Sequence, residues 1–475
     1  MRSRFLASTL LALACGSFVS ADEAISTARP IPLTRDEMKR LLEELKGRTI
    51  RIPLPELTEA DRAALGERAD SYEARLRHHY LPVGEGSVFG GRPQPPAQPG
   101  APPPPPRDFT RNADENMTLS YSFKTMLFWI VARTNNCQYC LGHQEQKLSA
   151  VGMTEEEIAA LDFDWKRFKP AEQAAFAYAR KITYSPHQIG DDDIAALRKH
   201  YTDSQILEMT LSTSGNNAIN RWKEGAGIPQ SKDGETFFRR ATNLPKDRPV
   251  PDKSFLTPTA AEYSKSKSQV VPFVVDVTGN PTATSSRPAL ESREQVEAAR
   301  AAARTRQPRL PLQSEEAVRA AWGPEVPEGR VPNWMRLMAT FPNEGKNRLP
   351  SLMAMTAERG DLSLKTKAQV SWIVARLDRA WYAVGQAQAQ LKKLGQTDDQ
   401  IFALDGDWHE FTAEEQAIFR FARDLAMSPI ALTDAEVTAA LGTAGPRKVV
   451  QLVNFVTGRA YFDRVTEAAG LPLDD

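Results

Sequence analysis

The pentapeptide WIVAR occurs twice, at residues 129–133 and 372–376, and the offset of 243 (372 − 129) holds along the chain without a gap. Thr154 meets Thr397, and Ile158 meets Ile401. Asp162, Asp164 and Trp165 meet Asp405, Asp407 and Trp408. EQA at 172–174 meets EQA at 415–417, and Ser185-Pro186 meets Ser428-Pro429. The match runs from Leu119 to Pro229, with Gly227 and Pro229 meeting Gly470 and Pro472. A match of that length defines a duplicated domain rather than a short solenoid unit.

The shared residues read mainly as helix punctuation. Leu119, Phe123, Met126, Leu127, Ile130 and Val131 recur at helical spacing. Thr154 with Glu157, Thr397 with Gln400, Thr412 with Glu415 and Thr433 with Glu436 form capping boxes, in which two side chains satisfy free backbone donors. Pro170 suits a first helical turn, where no amide hydrogen is needed. Strand signals are few: TIRIPL (49–54) and QVVPFVVDV (269–277) are short and interrupted by proline. The expected fold is all-α, with two tandem helical domains at 117–244 and 313–475 joined by a Pro/Ser/Thr-rich linker at 245–312. That linker carries one helix near 292–305, and 314–357 supplies the leading helices of the second domain. Before the first domain, residues 22–116 form an N-terminal region with helices over 34–80 and a polyproline-like spacer at 93–106.

The 475 residues leave room for two or three domains, and 41% of them are apolar. Lysine plus arginine equal aspartate plus glutamate at 60 each, a balance that argues against nucleic acid or an anionic membrane as partner. Residues 1–21 read as an export signal: Arg2 and Arg4, an apolar run from Phe5 to Leu13, then Val19-Ser20-Ala21 as a cleavage site. Lipoprotein processing at Cys15 ranks second, because Ala12 stands where a large aliphatic residue belongs. No later apolar stretch is long enough to span a bilayer. The expectation is an exported protein, periplasmic or extracellular, with no transmembrane segment in the mature chain.

Removing the signal leaves two cysteines, Cys137 and Cys140, in the stretch TNNCQYCLGHQEQKL (134–148). One pair is no disulfide framework and needs its own explanation. Asn135-Asn136 ends the apolar helix, and a new helix is expected from Cys137 to Val151. Residues three apart on a helix are neighbours, so Cys137, Cys140 and His143 are expected along one stripe. A helix N-terminus favours the thiolate of Cys137, and His143 is placed to exchange a proton with Cys140. The result is a dithiol in which one sulfur attacks and the other closes the disulfide.

Rival chemistries fit less well. A c-type haem wants histidine directly after the second cysteine, and Leu141 and Gly142 intervene. Structural zinc wants four ligands, and neither His187 nor His200 has a partner at ligand spacing. A static disulfide remains an alternative, although so short a loop adds little by chain entropy. No metal or cofactor is expected. In the second copy Ala380, Ala383 and Gln386 replace Cys137, Cys140 and His143, while Tyr382 and Gly385 keep Tyr139 and Gly142. This points to chemistry in the first copy and scaffolding in the second. The opposite inference, that the pair offsets a weakness in the first copy, stays open.

The block WIVARTNNCQYCLGHQEQKLSAVG with FKPAEQAAFAYARKI resembles the carboxymuconolactone decarboxylase family, in its alkylhydroperoxidase AhpD-like branch. The resemblance covers 117–230, with 313–475 as a copy lacking the thiols. It implies an all-helical, oligomeric protein and a thiol-dependent peroxidase or disulfide reductase. In the redox members the second cysteine attacks and the first resolves, which by position are Cys140 and Cys137. Two positions depart from the pattern. Gln144 stands where the histidine usually lies, with His143 one place earlier, and Thr125 stands where a relay glutamate belongs, with Ala368 in the second copy.

The expected function is therefore an exported thiol oxidoreductase taking a peroxide or disulfide substrate and an unknown thiol reductant. The alternatives are a catalytically silent helical binding or assembly module and a decarboxylase-like enzyme. The duplication also allows a homo-oligomer, or one chain imitating a homodimer. Trp129 and Trp165 read as core, and Asp162 and Asp164 as loop or cap residues. His78-His79 reads as a solvated helix face. Asn216, Asn217 and Asn220 belong to the first copy alone and are candidates for facing a substrate.

Overall fold

The computed structural model describes residues 30–82, 112–230, 254–271 and 290–474, with the backbone of 274–275 and 281–282. The expected export signal and the polyproline spacer lie outside these residues.

Ser120 and Ser363 each accept a hydrogen bond from the amide three residues on. They open the apolar helices of the two halves. α1 (Arg35–Glu44), α2 (Glu59–Leu65) and α3 (Tyr72–Tyr80) precede α4 (Tyr121–Asn135) and α5 (Gln138–Ala150). There follow α6 (Glu155–Phe163), α7 (Pro170–Tyr184), α8 (Asp191–Arg198) and α9 (Asp203–Ala226). The second half continues with α10 (Arg293–Thr305), α11 (Glu315–Trp322), α12 (Asn333–Met338) and α13 (Pro342–Met353). It ends with α14 (Leu364–Asp378), α15 (Trp381–Lys393), α16 (Asp398–Phe402), α17 (Ala413–Ala426) and α18 (Asp434–Ala468). The fold is all-helical; the only strands among the described residues are the two-residue pair Val274–Val275 and Pro281–Thr282. The four capping boxes form at Thr154, Thr397, Thr412 and Thr433.

α4 to α7 begin at the positions of α14 to α17 shifted by 243. α18 breaks at Gly445 (φ 77°) before Pro446, so its two limbs answer to α8 and α9. The correspondence also reaches upstream, where the ungapped sequence match stops. RTIRIPL (48–54) and RQPRLPL (306–312) stand 258 apart (306 − 48) and make the same contacts. Arg48 and Arg306 pair with Glu224 and Glu467 at 3.7 and 2.8 Å. Arg51 and Arg309 donate to the carbonyls of the same two glutamates at 3.0 and 2.9 Å. Gln230 and Leu473 donate backbone bonds to Leu45 and Ala303, both 3.2 Å. Ile52 and Leu310 are buried beside them, each worth about 2 kcal/mol of apolar transfer.

TIRIPL, a weak strand signal in the sequence, is an irregular arm whose half-buried arginines tie a leading helix onto the body. The described parts of 245–312, residues 254–271 and 290–312, pack against the helices. α10 packs on α15 as α1 packs on α5. Within 254–271, Ser268 bonds Asp162, and Lys39 donates to the Thr257 carbonyl at 2.9 Å.

The most extensive helix packing joins α9 to α18, across the two halves. Arg221 Nη2 donates to the Ala426 carbonyl at 2.8 Å, and Arg464 Nη2 donates to the Thr183 carbonyl at 3.1 Å. Arg464 is Arg221 shifted by 243, and Ala426 is Thr183 shifted by 243, so the contact is reciprocal, as in a two-fold interface. One apolar core runs through both halves. Arg464 also pairs with Asp378 at 2.8 Å, both side chains fully buried. Asp378→Ala should therefore cost about 3–5 kcal/mol, because it strands a buried charge. Chemical denaturation of parent and variant measures this; a loss below about 1 kcal/mol, the size of a surface pair, would contradict it.

Candidate functional site

The site is built at the corner between α4 and α5. Asn136 takes the left-handed conformation (φ 56°, ψ 34°), which asparagine tolerates and which ends α4. Cys137 then caps α5 with φ −82° and ψ 91°, its amide donating back to the Ala132 carbonyl at 2.9 Å. The Cys140 amide donates to Cys137 Sγ at 3.4 Å, and the two sulfurs are joined as a disulfide with Cα atoms 5.4 Å apart.

The second half builds the same corner without sulfur. Arg379 is left-handed (φ 50°, ψ 37°), and Ala380 caps α15 with φ −84° and ψ 87°. The Ala380 amide donates to the Ala375 carbonyl at 3.0 Å. The backbone path is thus set by the helix ends and the buried arms, and the disulfide is not what shapes it.

Both sulfurs are buried, Cys137 fully and Cys140 with 2% exposed. One cover is the tail after α9. A Cβ on Gly142 would sit 2.0 Å from Gln230 Nε2 and 3.0 Å from Phe255, so only glycine lets Gln230 cross α5 and donate to the Tyr139 carbonyl at 3.3 Å. Gly385 admits Leu473 in the same way.

His143 lies on α5 one turn beyond Cys140. It makes no hydrogen bond to either sulfur among the described residues. Its ring lies against Tyr139, centroids 4.5 Å apart. Lys223 stands over the same Tyr139 ring at 4.5 Å and pairs with Glu73. The residue is half-buried, and Nε2 is buried without a hydrogen-bond partner. Burial, and then the charges of Lys147 and Lys223, push the imidazole down to about 3. So weak a base is a poor acceptor for a thiol proton.

On the other side lies a groove of about 260 Å³ whose wall includes Thr125, Gln144, Lys147 and Asn216, with Glu344 and Arg348 from α13. Gln144 Nε2 donates to the Cys140 carbonyl at 3.1 Å. Gln144 Oε1 and Asn216 Nδ2 are buried with no hydrogen-bond partner. Thr125 Oγ1 is occupied by the Tyr121 carbonyl at 2.8 Å. The two positions where the chain departs from the resembled pattern thus share one groove, a helical turn from Cys140. Burial, and then the charge of Lys223, bring the Lys147 ammonium down to about 8. Lys147 was not singled out from sequence, since a helical lysine ordinarily faces water.

Other candidates settle differently. Asp162 is no loop or cap residue: it is fully buried against Arg133 at 3.0 Å, as Asp405 is held by Arg376 at 3.0 Å. Asp164 does cap a short turn, accepting from the Lys166 amide at 3.2 Å. Asn217 and Asn220 are fully buried; both accept from Asn135 Nδ2, at 2.9 and 2.8 Å, in the seam between the halves. Trp129 is fully buried and Trp165 half-buried. No helix among the described residues is long and apolar enough to cross a membrane. A scan against family models matches none, and no curated protein matches the chain.

The depressed proton affinity of His143 has a measurable consequence. The folded value lies below the ordinary 6.5, so this group's contribution to stability is complete above pH 6.5 and is lost as pH falls toward about 3. Proton–carbon NMR of the imidazoles should find one ring still neutral at pH 5, absent from the spectrum of His143→Gln. A His143 midpoint near 6.5 would contradict the buried placement.

Proposed function

We propose that the chain is a thiol-dependent oxidoreductase working through Cys137 and Cys140, a peroxidase or disulfide reductase. The observation that carries this reading is the sulfur-free corner at Ala380 and Ala383, which has the same backbone. Since the corner needs no staple in one half, a bonded pair in the other is better accounted for by chemistry. Resemblance to the AhpD-like branch supports the same reading and gives Cys140 the attacking role.

In the reduced protein both thiols sit in the first turn of α5, where the helix dipole and free amides favour thiolate. The Cys140 thiolate attacks one oxygen of a hydroperoxide, the O–O bond breaks, and the second oxygen leaves as an alcohol after taking a proton. The resulting sulfenic acid is attacked by Cys137, which closes the disulfide and releases water. A dithiol reductant returns two electrons through a mixed disulfide and is itself oxidised. The groove beside Gln144 is the proposed approach to Cys140. Lys147, with a value near neutrality, is the group on that groove best matched to proton transfer. Because both sulfurs are covered, turnover requires Gln144 or the Gln230 tail to move.

A second reading, a catalytically silent helical binding or assembly module, is favoured by the burial of the sulfurs and by Gln144 and Thr125 at the relay positions. Stopped-flow oxidation of the reduced protein by hydrogen peroxide and by an organic hydroperoxide separates the two. The redox reading expects oxidation faster than a free thiol, lost in Cys140→Ser, with a sulfenic acid trapped in Cys137→Ser. It also expects that reducing the disulfide lowers stability by no more than about 2 kcal/mol, the chain-entropy value for so short a loop. Oxidation at the free-thiol rate together with a larger stability loss would establish the silent, stapled module instead.

A further inference from the structure

Asp61, His78 and His79 meet at the outer corner between α2 and α3, away from the disulfide. One donor atom from each lies within 4.8 Å of the others. From sequence the two histidines read as a solvated face; His78 is exposed, whereas His79 is half-buried. Asp61 Oδ1 meets His78 Nε2 at 2.7 Å, and His79 Nε2 is buried with no hydrogen-bond partner.

We propose that this cluster is a binding site for a divalent first-row transition ion, with two imidazole nitrogens and one carboxylate oxygen as ligands. Four features support it. The donor set is borderline-soft, suited to zinc, nickel or copper rather than to magnesium or calcium. The carboxylate is already oriented: Asp61 Oδ2 accepts from the Thr58 amide at 3.0 Å and the Thr58 hydroxyl at 2.7 Å, which leaves Oδ1 turned toward the imidazoles. Such outer partners fix a ligand's direction and raise affinity. Both histidines stand in the last turn of α3, where the negative end of the helix dipole favours a cation. Arg75, the neighbouring cation, has its guanidinium engaged by the Pro55 carbonyl at 2.6 Å.

Three protein ligands leave positions for water. The ion would tie α2 to α3 across a chain separation of 17 residues.

The test is calorimetric titration of the full-length, tag-free protein with nickel and zinc salts, with Cys137 and Cys140 held oxidised so that neither thiol competes. One equivalent should bind. Affinity should rise from cobalt to nickel to copper, and magnesium should not compete. His79→Gln and His78→Gln should each weaken binding at least about tenfold, and Thr58→Ala, which removes the outer partner together with the cap of α2, about tenfold. His78 is exposed, so His78→Gln keeps the fold, which circular dichroism verifies. Absence of saturable binding, or binding unchanged in both histidine variants, overturns the proposal.

Discussion

The structure depends on a reciprocal, buried contact between two long helices. Arg221 on α9 reaches the carbonyl at the end of α17, and Arg464 on α18 reaches the matching carbonyl at the end of α7. Each guanidinium sits fully buried and must spend its donors on protein atoms. Those donors close helix C-termini that would otherwise leave carbonyls unpaired. The halves therefore meet as the two subunits of an isologous dimer meet, yet within one chain. A single core follows from this, and so does a groove walled by residues of both halves.

The duplication gives the molecule its own control experiments. The α14–α15 corner shows what the α4–α5 corner does without sulfur: it keeps the same left-handed residue, the same cap and the same backbone bond. Where two copies share a backbone, a polar or reactive group present in only one is hard to explain by folding alone. The same logic runs the other way for Asp162 and Asp405, which pair with Arg133 and Arg376 in both copies and belong to the scaffold.

Much of the fold was legible in the sequence because helix ends are local events. Caps at Thr154, Thr397, Thr412 and Thr433 depend on residues three apart, and the breaks at Asn136 and at Gly227 depend on single residues. The upstream part of the repeat was missed for a simple reason: its offset is 258 rather than 243, so an ungapped comparison loses it at 48–54 and 306–312. Those arms resemble short strands by composition, and only their contacts with Glu224 and Glu467 show that they are tethers.

The sequence by itself determined the all-helical class, the positions of most helices and the presence of a cysteine pair at a helix start, since each follows from neighbours in the chain. It did not determine the surroundings of His143. Tyr139 on α5 lies against the imidazole, Lys223 on α9 stands over the same Tyr139 ring, and Glu73 on α3 pairs with Lys223. The burial of the disulfide under Gln230 and the groove at Gln144 were decided in the same way. Both arise from segments distant in sequence, and only tertiary packing brings those segments within reach of α5.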